Sequence, residues 1–219
     1  MHVLKMLGMN SSLPHVRVTL ITRDICTPYS GMLPGYVAGV YSREECHIDL
    51  SLLCSFGGVR MFHTEVNGID TENKMIFCSD GRPPISYDIV SLNIGITPKS
   101  LPMFADRKPP SITPVKPIDS FCAKWDKILA RVLSLSTTDF ACQSSKKPIT
   151  ICVVGGGGGG VELSFSIYHR LRKEVLNIRP DSDVSTVIKV LLLNRGRTIM
   201  SSHCPAVRCI VMRLLGEKV

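Results

Sequence analysis

A run of six glycines that starts at residue 155 is the part of the chain whose residue types and spacing indicate chemistry. It follows the apolar, β-branched stretch Ile149–Val154 and precedes a helical pattern from Val161 onward. Gly155, Gly157 and Gly160 match G-x-G-x-x-G: the first permits a tight turn, the second lets the backbone approach a diphosphate, and the third lets a helix pack closely on a strand. Free N–H groups and the macrodipole at the helix start favour an anion there. Strand, glycine turn and helix together predict a dinucleotide-binding turn.

A flexible linker between two domains is the alternative interpretation, because a homopolymeric glycine run satisfies the motif whatever its role. Linkers are usually flanked by polar or Ser-rich residues. Here five of the six residues before the run are apolar or β-branched, and an amphipathic helix follows. This context favours the dinucleotide hypothesis.

A second strand, Val187–Leu193, is predicted after that helix and would lie beside the first strand. Asn194 follows at the place where an acid usually selects NADH, and Arg195 and Arg197 come next. These arginines could receive a 2′-phosphate and favour NADPH, or they could be ordinary surface residues. Both possibilities stay open.

Composition indicates a globular protein with a real core, since 44% of the 219 residues are hydrophobic. The formal net charge is +8, but the basic residues are scattered and only 6% of residues are aromatic, so no nucleic-acid partner is predicted. Nine cysteines form no C-x-x-C pair, and neither a metal site nor a disulfide framework is indicated. With no signal peptide and no transmembrane segment in view, we expect a reducing, cytoplasmic location, with peripheral membrane contact still open.

Elements earlier in the chain are predicted from apolar patterning and turn residues. The predicted strands are residues 16–22, 59–66, 74–78 and 85–94, the last continuous enough to be central. Ser42 with Glu45 matches a capping box, and Asp49 offers an N-cap for a helix that stops at Gly57-Gly58. Residues 98–117 are a Pro-rich connector, and a helix follows in which Trp125 is expected to pack in the core.

Several runs carry a resemblance to a known family: Val18-Thr-Leu-Ile-Thr-Arg-Asp24, Thr27-Pro-Tyr-Ser-Gly-Met-Leu-Pro-Gly-Tyr-Val-Ala-Gly39, Glu45-Cys-His-Ile-Asp-Leu50, and Asn93-Ile-Gly-Ile-Thr-Pro98. Over nearly its whole length the chain resembles the pyridine nucleotide-disulfide oxidoreductase superfamily. Within it, the chain is most similar to the type II NADH dehydrogenase-like flavoproteins, and specifically to the branch often fused to selenide, water dikinase.

The resemblance implies an α/β fold of two Rossmann-like three-layer domains, both incomplete. Residues 1–115 would be the front part of an FAD-binding domain without its first strand and Gly-rich loop. Residues 118–219 would be the first half of an NAD(P)H-binding domain. The implied cofactor-binding residues are Pro28, Leu33, Pro34, Gly95, Thr97 and Pro98 for FAD, and Gly155, Gly157, Gly160, Glu162, Asn194 and Arg195 for the nucleotide.

The implied function is hydride transfer from nicotinamide to flavin and then to a small-molecule acceptor, typically a quinone, with no residue named as catalytic. The redox-active cysteine pair of the disulfide-reductase relatives is absent from the sequence, so disulfide chemistry is not expected. Without the first Gly-rich loop, we expect the isolated chain to hold FAD poorly. The alternative function is a non-catalytic remnant of such an enzyme, which binds a nucleotide weakly or binds none and acts through interaction. Association with selenide, water dikinase is a further expectation.

Overall fold

The computed structural model describes residues 2–9, 15–96, 112–138 and 148–218. Its helices are α1 (His2–Met9), α2 (Leu33–Ala38), α3 (Leu50–Gly57), α4 (Ile118–Thr138), α5 (Gly158–Ile178), α6 (Val184–Val187) and α7 (Pro205–Lys218). Its strands are β1 (Thr19–Thr22), β2 (Cys26–Pro28), β3 (His47–Asp49), β4 (Arg60–His63), β5 (Val66–Asp70), β6 (Met75–Cys78), β7 (Ile85–Ser86), β8 (Ile149–Val154) and β9 (Ile188–Leu193).

The chain divides into two compact units that differ from the sequence-based division. The first unit is Met1–Tyr29 with His47–Ile96, and the second is Ser30–Cys46 with Thr97–Val219. Residues 30–46 therefore group with the later part of the chain. The assignment of one cofactor to residues 1–115 and the other to 118–219 stays a prediction.

The first unit is built on short strands with one small apolar cluster. Strands β1 and β4 are parallel, β2 pairs antiparallel with β3, and β5, β6 and β7 form an antiparallel sheet. Leu4, Cys54 and Val59 form the buried cluster between α1, α3 and the start of β4.

Helix α3 has the cap residues that the sequence predicts. Asp49 Oδ1 accepts a hydrogen bond of 2.8 Å from the Ser51 N–H, and Gly58 ends the helix in the left-handed conformation. The hydroxyl and the N–H of Ser51 both lower the pKa of the Asp49 carboxyl, because they bind its charged form. Sequence patterning therefore locates this helix accurately.

The second unit contains a β-α-β motif with β8 and β9 parallel over their full lengths, from Ile149 beside Ile188 to Val154 beside Leu193. One face of this strand pair packs on the core, whereas Thr150, Cys152 and Val154 on the other face of β8 are exposed. The core is apolar, with side chains from both long helices and both strands. It includes Phe121, Trp125, Leu129, Val132, Val153, Ile167, Leu171, Val175, Ile188 and Val190.

Helix α2 packs on α5 and also bonds to α4 in this second unit. The Tyr36 hydroxyl donates to both carboxylate oxygens of Asp126, at 2.7 and 2.8 Å. Burial, followed by the hydrogen bond to Asp126, raises the pKa of the Tyr36 phenol far above its ordinary value. The pair thus fixes α2 against α4 through a protonated phenol.

Three element predictions are wrong in detail. The predicted strand 85–94 is regular only over Ile85–Ser86, and Ile94 is 92% exposed. The predicted strand 59–66 is two separate strands, β4 and β5. The capping box forms, with the Ser42 N–H 2.7 Å from Glu45 Oε2, but it closes a turn rather than a helix.

Most of the Pro-rich connector, residues 98–111, lies outside the described part of the chain. Among the described helices, none combines the length and apolar character needed to cross a bilayer. Trp125 is buried in the core, as predicted.

Truncation of Leu171, which is 1% exposed, should lower the free energy of unfolding by about 2–5 kcal/mol, because it removes buried apolar area and leaves a cavity. Leu52→Ala is the matched control, since Leu52 is 70% exposed and its truncation should change stability by about 0.5 kcal/mol or less. Urea unfolding followed by circular dichroism measures both. Equal losses in the two variants would contradict this packing.

Alkaline pH should weaken the fold through Tyr36. In the unfolded chain the Tyr36 phenol ionises near pH 10, whereas in the folded protein it stays protonated. The contribution of Tyr36 to the free energy of unfolding is therefore complete below about pH 10 and is lost as the pH rises further. The stability of the wild type relative to Tyr36→Phe should therefore fall above about pH 10. Tyrosinate absorbance and chemical unfolding test this, with the exposed Tyr29→Phe as control. A constant difference across that pH range would show that Tyr36 titrates normally.

Candidate functional site

The glycine run forms a tight turn between a strand and a helix. Strand β8 ends at Val154, and Gly155 adopts a φ of 126°, which side-chain-bearing residues rarely adopt. Its N–H donates to the Leu193 carbonyl at 2.8 Å and so extends the pairing of β8 with β9. Helix α5 then begins at Gly158, three residues before the predicted start at Val161. A strand leads in and a helix leads out, so the run is not a linker.

Three of the six glycines are required by their surroundings. Gly155 needs its positive φ. A Cβ on Gly160 would overlap the Gly155 carbonyl oxygen, so the helix start and the strand end meet with no side chain between them. A Cβ on Gly156 would lie 2.6 Å from Asn194 Cγ. These contacts agree with the one frame in which the run fits the motif, where Gly155 makes the turn and Gly160 makes the close packing.

The other three glycines have open space around them. A Cβ on Gly157 or Gly159 would meet nothing within 4 Å, and one on Gly158 would meet only His203 Cε1 at 3.9 Å. Gly157 is the N-cap of α5 and supplies no side-chain acceptor to the first turn. The N–H groups of Gly158–Gly160 therefore have no side-chain cap, and a bound anion could accept hydrogen bonds from them.

The loop after β9 is tied to the glycine turn. The Asn194 side-chain amide donates to the Gly196 carbonyl at 3.0 Å and to the Thr198 carbonyl at 2.9 Å. The Met200 N–H donates to the Gly156 carbonyl at 2.6 Å. The Asn194 side chain thus stabilises the loop in which it lies. Its Oδ1 is close to Gly156, so the side chain also contacts the glycine turn.

The charged residues predicted for this site surround the turn on exposed positions. Arg195, Arg197 and Glu162 are exposed, and within the described ranges none of them makes an ion pair or a side-chain hydrogen bond. The structure therefore brings Gly155, Gly157, Gly160, Glu162, Asn194 and Arg195 into one region at the carboxyl ends of β8 and β9. In open α/β sheets, ligands bind at that edge.

Residues predicted for the flavin side have varied environments. Pro28 closes β2 in the first unit, and Gly95 is exposed with a φ of 68°. Leu33 and Pro34 open α2 in the second unit, and Leu33 is buried in the apolar core, where it packs. Thr97 and Pro98 lie outside the described residues.

Two residues of this region are not predicted from the sequence. Gly156 is a spacer position of the motif, and Met200 belongs to no motif. Their roles arise from contacts between the glycine turn and the loop after β9, for which no local signal exists in the sequence. Across the described ranges, no group of three or more His, Cys, Asp or Glu side chains is arranged to hold a metal ion.

Comparisons with known proteins bear on the fold. No protein-family model matches the chain, and no curated protein matches it either. Among solved structures, the chain is similar to NDH2 from Plasmodium falciparum in complex with NADH, with a TM-score of 0.73 and 18% identity over 96% of this chain and 43% of that one. The chain has the fold of the pyridine nucleotide-disulfide oxidoreductases.

Two further proteins with the pyridine nucleotide-disulfide oxidoreductase fold match at similar levels. The sulfide:quinone oxidoreductase of Aquifex aeolicus gives a TM-score of 0.66 and 14% identity over 98% of this chain and 46% of that one. Putidaredoxin reductase, in its covalent complex with putidaredoxin, gives a TM-score of 0.62 and 17% identity over 98% of this chain and 45% of that one. The chain spans less than half the length of each. The predicted α/β class with Rossmann-like domains is confirmed, as is the resemblance at the level of fold.

Gly160→Ala should destabilise the second unit by at least about 1–3 kcal/mol, because its methyl group would overlap a backbone carbonyl that cannot move without the turn. Gly159→Ala is the matched control: its methyl group has open space, and alanine should stabilise the helix by about 0.5–1 kcal/mol. Urea unfolding of the two variants should therefore give opposite signs. Loss of stability in Gly159→Ala alone would contradict the assigned frame.

Proposed function

We propose that this chain is part of an FAD-dependent NAD(P)H oxidoreductase. The observation that carries the proposal is the glycine turn between β8 and α5, in which Gly155 and Gly160 have structural reasons to be glycine while Gly157 faces open space. No protein atom near Gly157 requires the absence of a side chain, and a glycine at such a position allows a ligand to contact the backbone closely. The fold shared with NADH-bound NDH2 supports the same proposal.

The chain's own contribution would be binding and orientation. Backbone N–H groups at the start of α5 would hold the diphosphate of NAD(P)H, and Asn194 and Arg195 would lie on the side of the adenosine ribose. Glu162 would lie toward the nicotinamide. When both cofactors are bound, they supply the hydride-transfer chemistry, so the protein needs no acid or base of its own.

The flavin side is proposed on the resemblance. The residues proposed to approach FAD are Pro28, Leu33, Pro34, Gly95, Thr97 and Pro98. Among these, Leu33 is buried in apolar packing, so its contribution would be to hold Pro34 and the start of α2 in place. Pro28 and Gly95 are the described residues of this set that belong to the first unit.

A quinone is the acceptor we propose, because two of the similar structures are NDH2 and a sulfide:quinone oxidoreductase. The comparisons give no support to an association with selenide, water dikinase, and we do not propose one. The choice between NADH and NADPH depends on Arg195 and Arg197, whose exposed guanidinium groups suit a 2′-phosphate.

Gly157→Ala should weaken binding of NADH and NADPH about tenfold or more, which is about 1.4 kcal/mol or more, because its methyl group would occupy the space left for the diphosphate. The fold should be unaffected, since the added Cβ meets no protein atom within 4 Å. Titration by nicotinamide fluorescence measures the affinity. Gly216→Ala, also in open space but on α7, is the matched control and should bind as the wild type does.

The proposed reduction of flavin by NAD(P)H is tested by adding FAD to the purified chain and then adding NADH or NADPH. Bleaching of flavin absorbance that Gly157→Ala slows would support an oxidoreductase. Nucleotide binding without bleaching would support the non-catalytic alternative. Absence of nucleotide binding by the wild type would contradict the oxidoreductase and would leave the interaction remnant as the alternative.

A further inference from the structure

A second polar region lies in the first unit, as a cleft of about 470 Å³. Its lining residues are His15, Val16, Arg17, Val18, Gly58 and Arg60. Three of the six are basic and none is acidic. The volume falls within the roughly 300–1,000 Å³ typical of small-molecule sites.

The cleft lies at the amino ends of the parallel strands β1 and β4. Val16–Val18 lead into β1, Arg60 opens β4, and the Arg60 N–H donates to the Val18 carbonyl at 3.1 Å. Ligands of open α/β sheets bind at the opposite edge, beyond the carboxyl ends of the strands. The cleft is therefore separate from the place where a cofactor of this unit would be expected.

Arg60 is held in a fixed orientation without a carboxylate. Its Nε and Nη2 donate to Thr19 Oγ1 at 3.2 and 3.0 Å, and its guanidinium stacks over the Phe62 ring, 4.6 Å from the centroid. Arg82 stacks on the same ring at 4.2 Å. A guanidinium fixed in this way still has N–H donors to offer and loses little conformational freedom when it binds an anion.

Arg17 and His15 add to the positive potential of the cleft. Both are exposed, and in the part of the chain that the structure describes neither makes an ion pair or a side-chain hydrogen bond. No carboxylate is among the described residues that line the cleft, and within the described ranges neither Arg17 nor Arg60 makes an ion pair. Cations that cluster on one part of a surface raise the local concentration of anions.

We propose that this cleft binds a small phosphate-bearing anion. Guanidinium groups match the geometry of phosphate oxygens, and Arg17 and Arg60 both line the cleft. The ligand is a free small molecule rather than a surface or a polymer, because the lining of the cleft spans only two short segments of the chain. The proposal is independent of the oxidoreductase function.

The test uses pyrophosphate as the probe, titrated into the full chain at constant ionic strength and followed by calorimetry. Arg17→Ser should weaken pyrophosphate binding about tenfold, because it removes one of the two arginine charges that attract the anion. Arg60→Lys keeps the positive charge but loses the paired N–H donors of the guanidinium, and it should also weaken pyrophosphate binding. Arg213→Ser, an exposed arginine on α7, has the same change in net charge as Arg17→Ser and should leave affinity within about twofold.

The outcomes are distinct. Saturable binding that both cleft variants weaken and Arg213→Ser does not would support the site. Absence of saturable binding, or equal weakening in all three variants, would overturn it, as would binding that Gly157→Ala removes while Arg17→Ser does not. Co-sedimentation with phosphatidic acid vesicles that depends on Arg17, without pyrophosphate binding, would overturn the small-molecule assignment in favour of a lipid surface. Circular dichroism of each variant confirms folding.

Discussion

The approach of the first turn of α5 to the Gly155 carbonyl is the contact on which the second unit depends. No side chain fits between them, so the helix can follow the strand immediately and still lie on the core. That position buries Leu163, Ile167, Leu171 and Val175 along one face of α5 against the strands. It also fixes the carboxyl ends of β8 and β9 beside the helix start, where the loop after β9 can bond to the glycine turn.

Sequence reasoning located this region because its signals are local. An apolar β-branched run, glycines and a helical pattern occur in the order that a phosphate-binding turn requires. It could not decide which glycines matter, since all six positions carry the same residue and only their surroundings distinguish them. The answer depends on partners elsewhere: the Gly155 carbonyl for Gly160, and Asn194, which follows the next strand, for Gly156. The packing of Leu33 in the core likewise depends on partners elsewhere in the chain, which the sequence around it does not show.

The wrong strand prediction has a different cause. Residues 85–94 are apolar enough for a central strand, but a strand also needs neighbours that pair with its backbone. Among the described residues, only Ile85–Ser86 pair, with β6, and Ile89 and Ile94 are exposed. Composition cannot show whether such a partner exists. The helix after Asp49 was predicted well because its N-cap and its glycine stop are local features.

The three glycines at the start of α5 have a consequence for folding. Glycine in a helix costs about 0.5–1 kcal/mol relative to alanine, so the first turn of α5 is intrinsically weak although its last turns are packed against the core. An anion that accepts hydrogen bonds from these N–H groups would bind the folded turn and not the unfolded one. Its binding free energy would then add to the stability of the whole β-α-β motif, so ligand concentration and thermal stability would rise together.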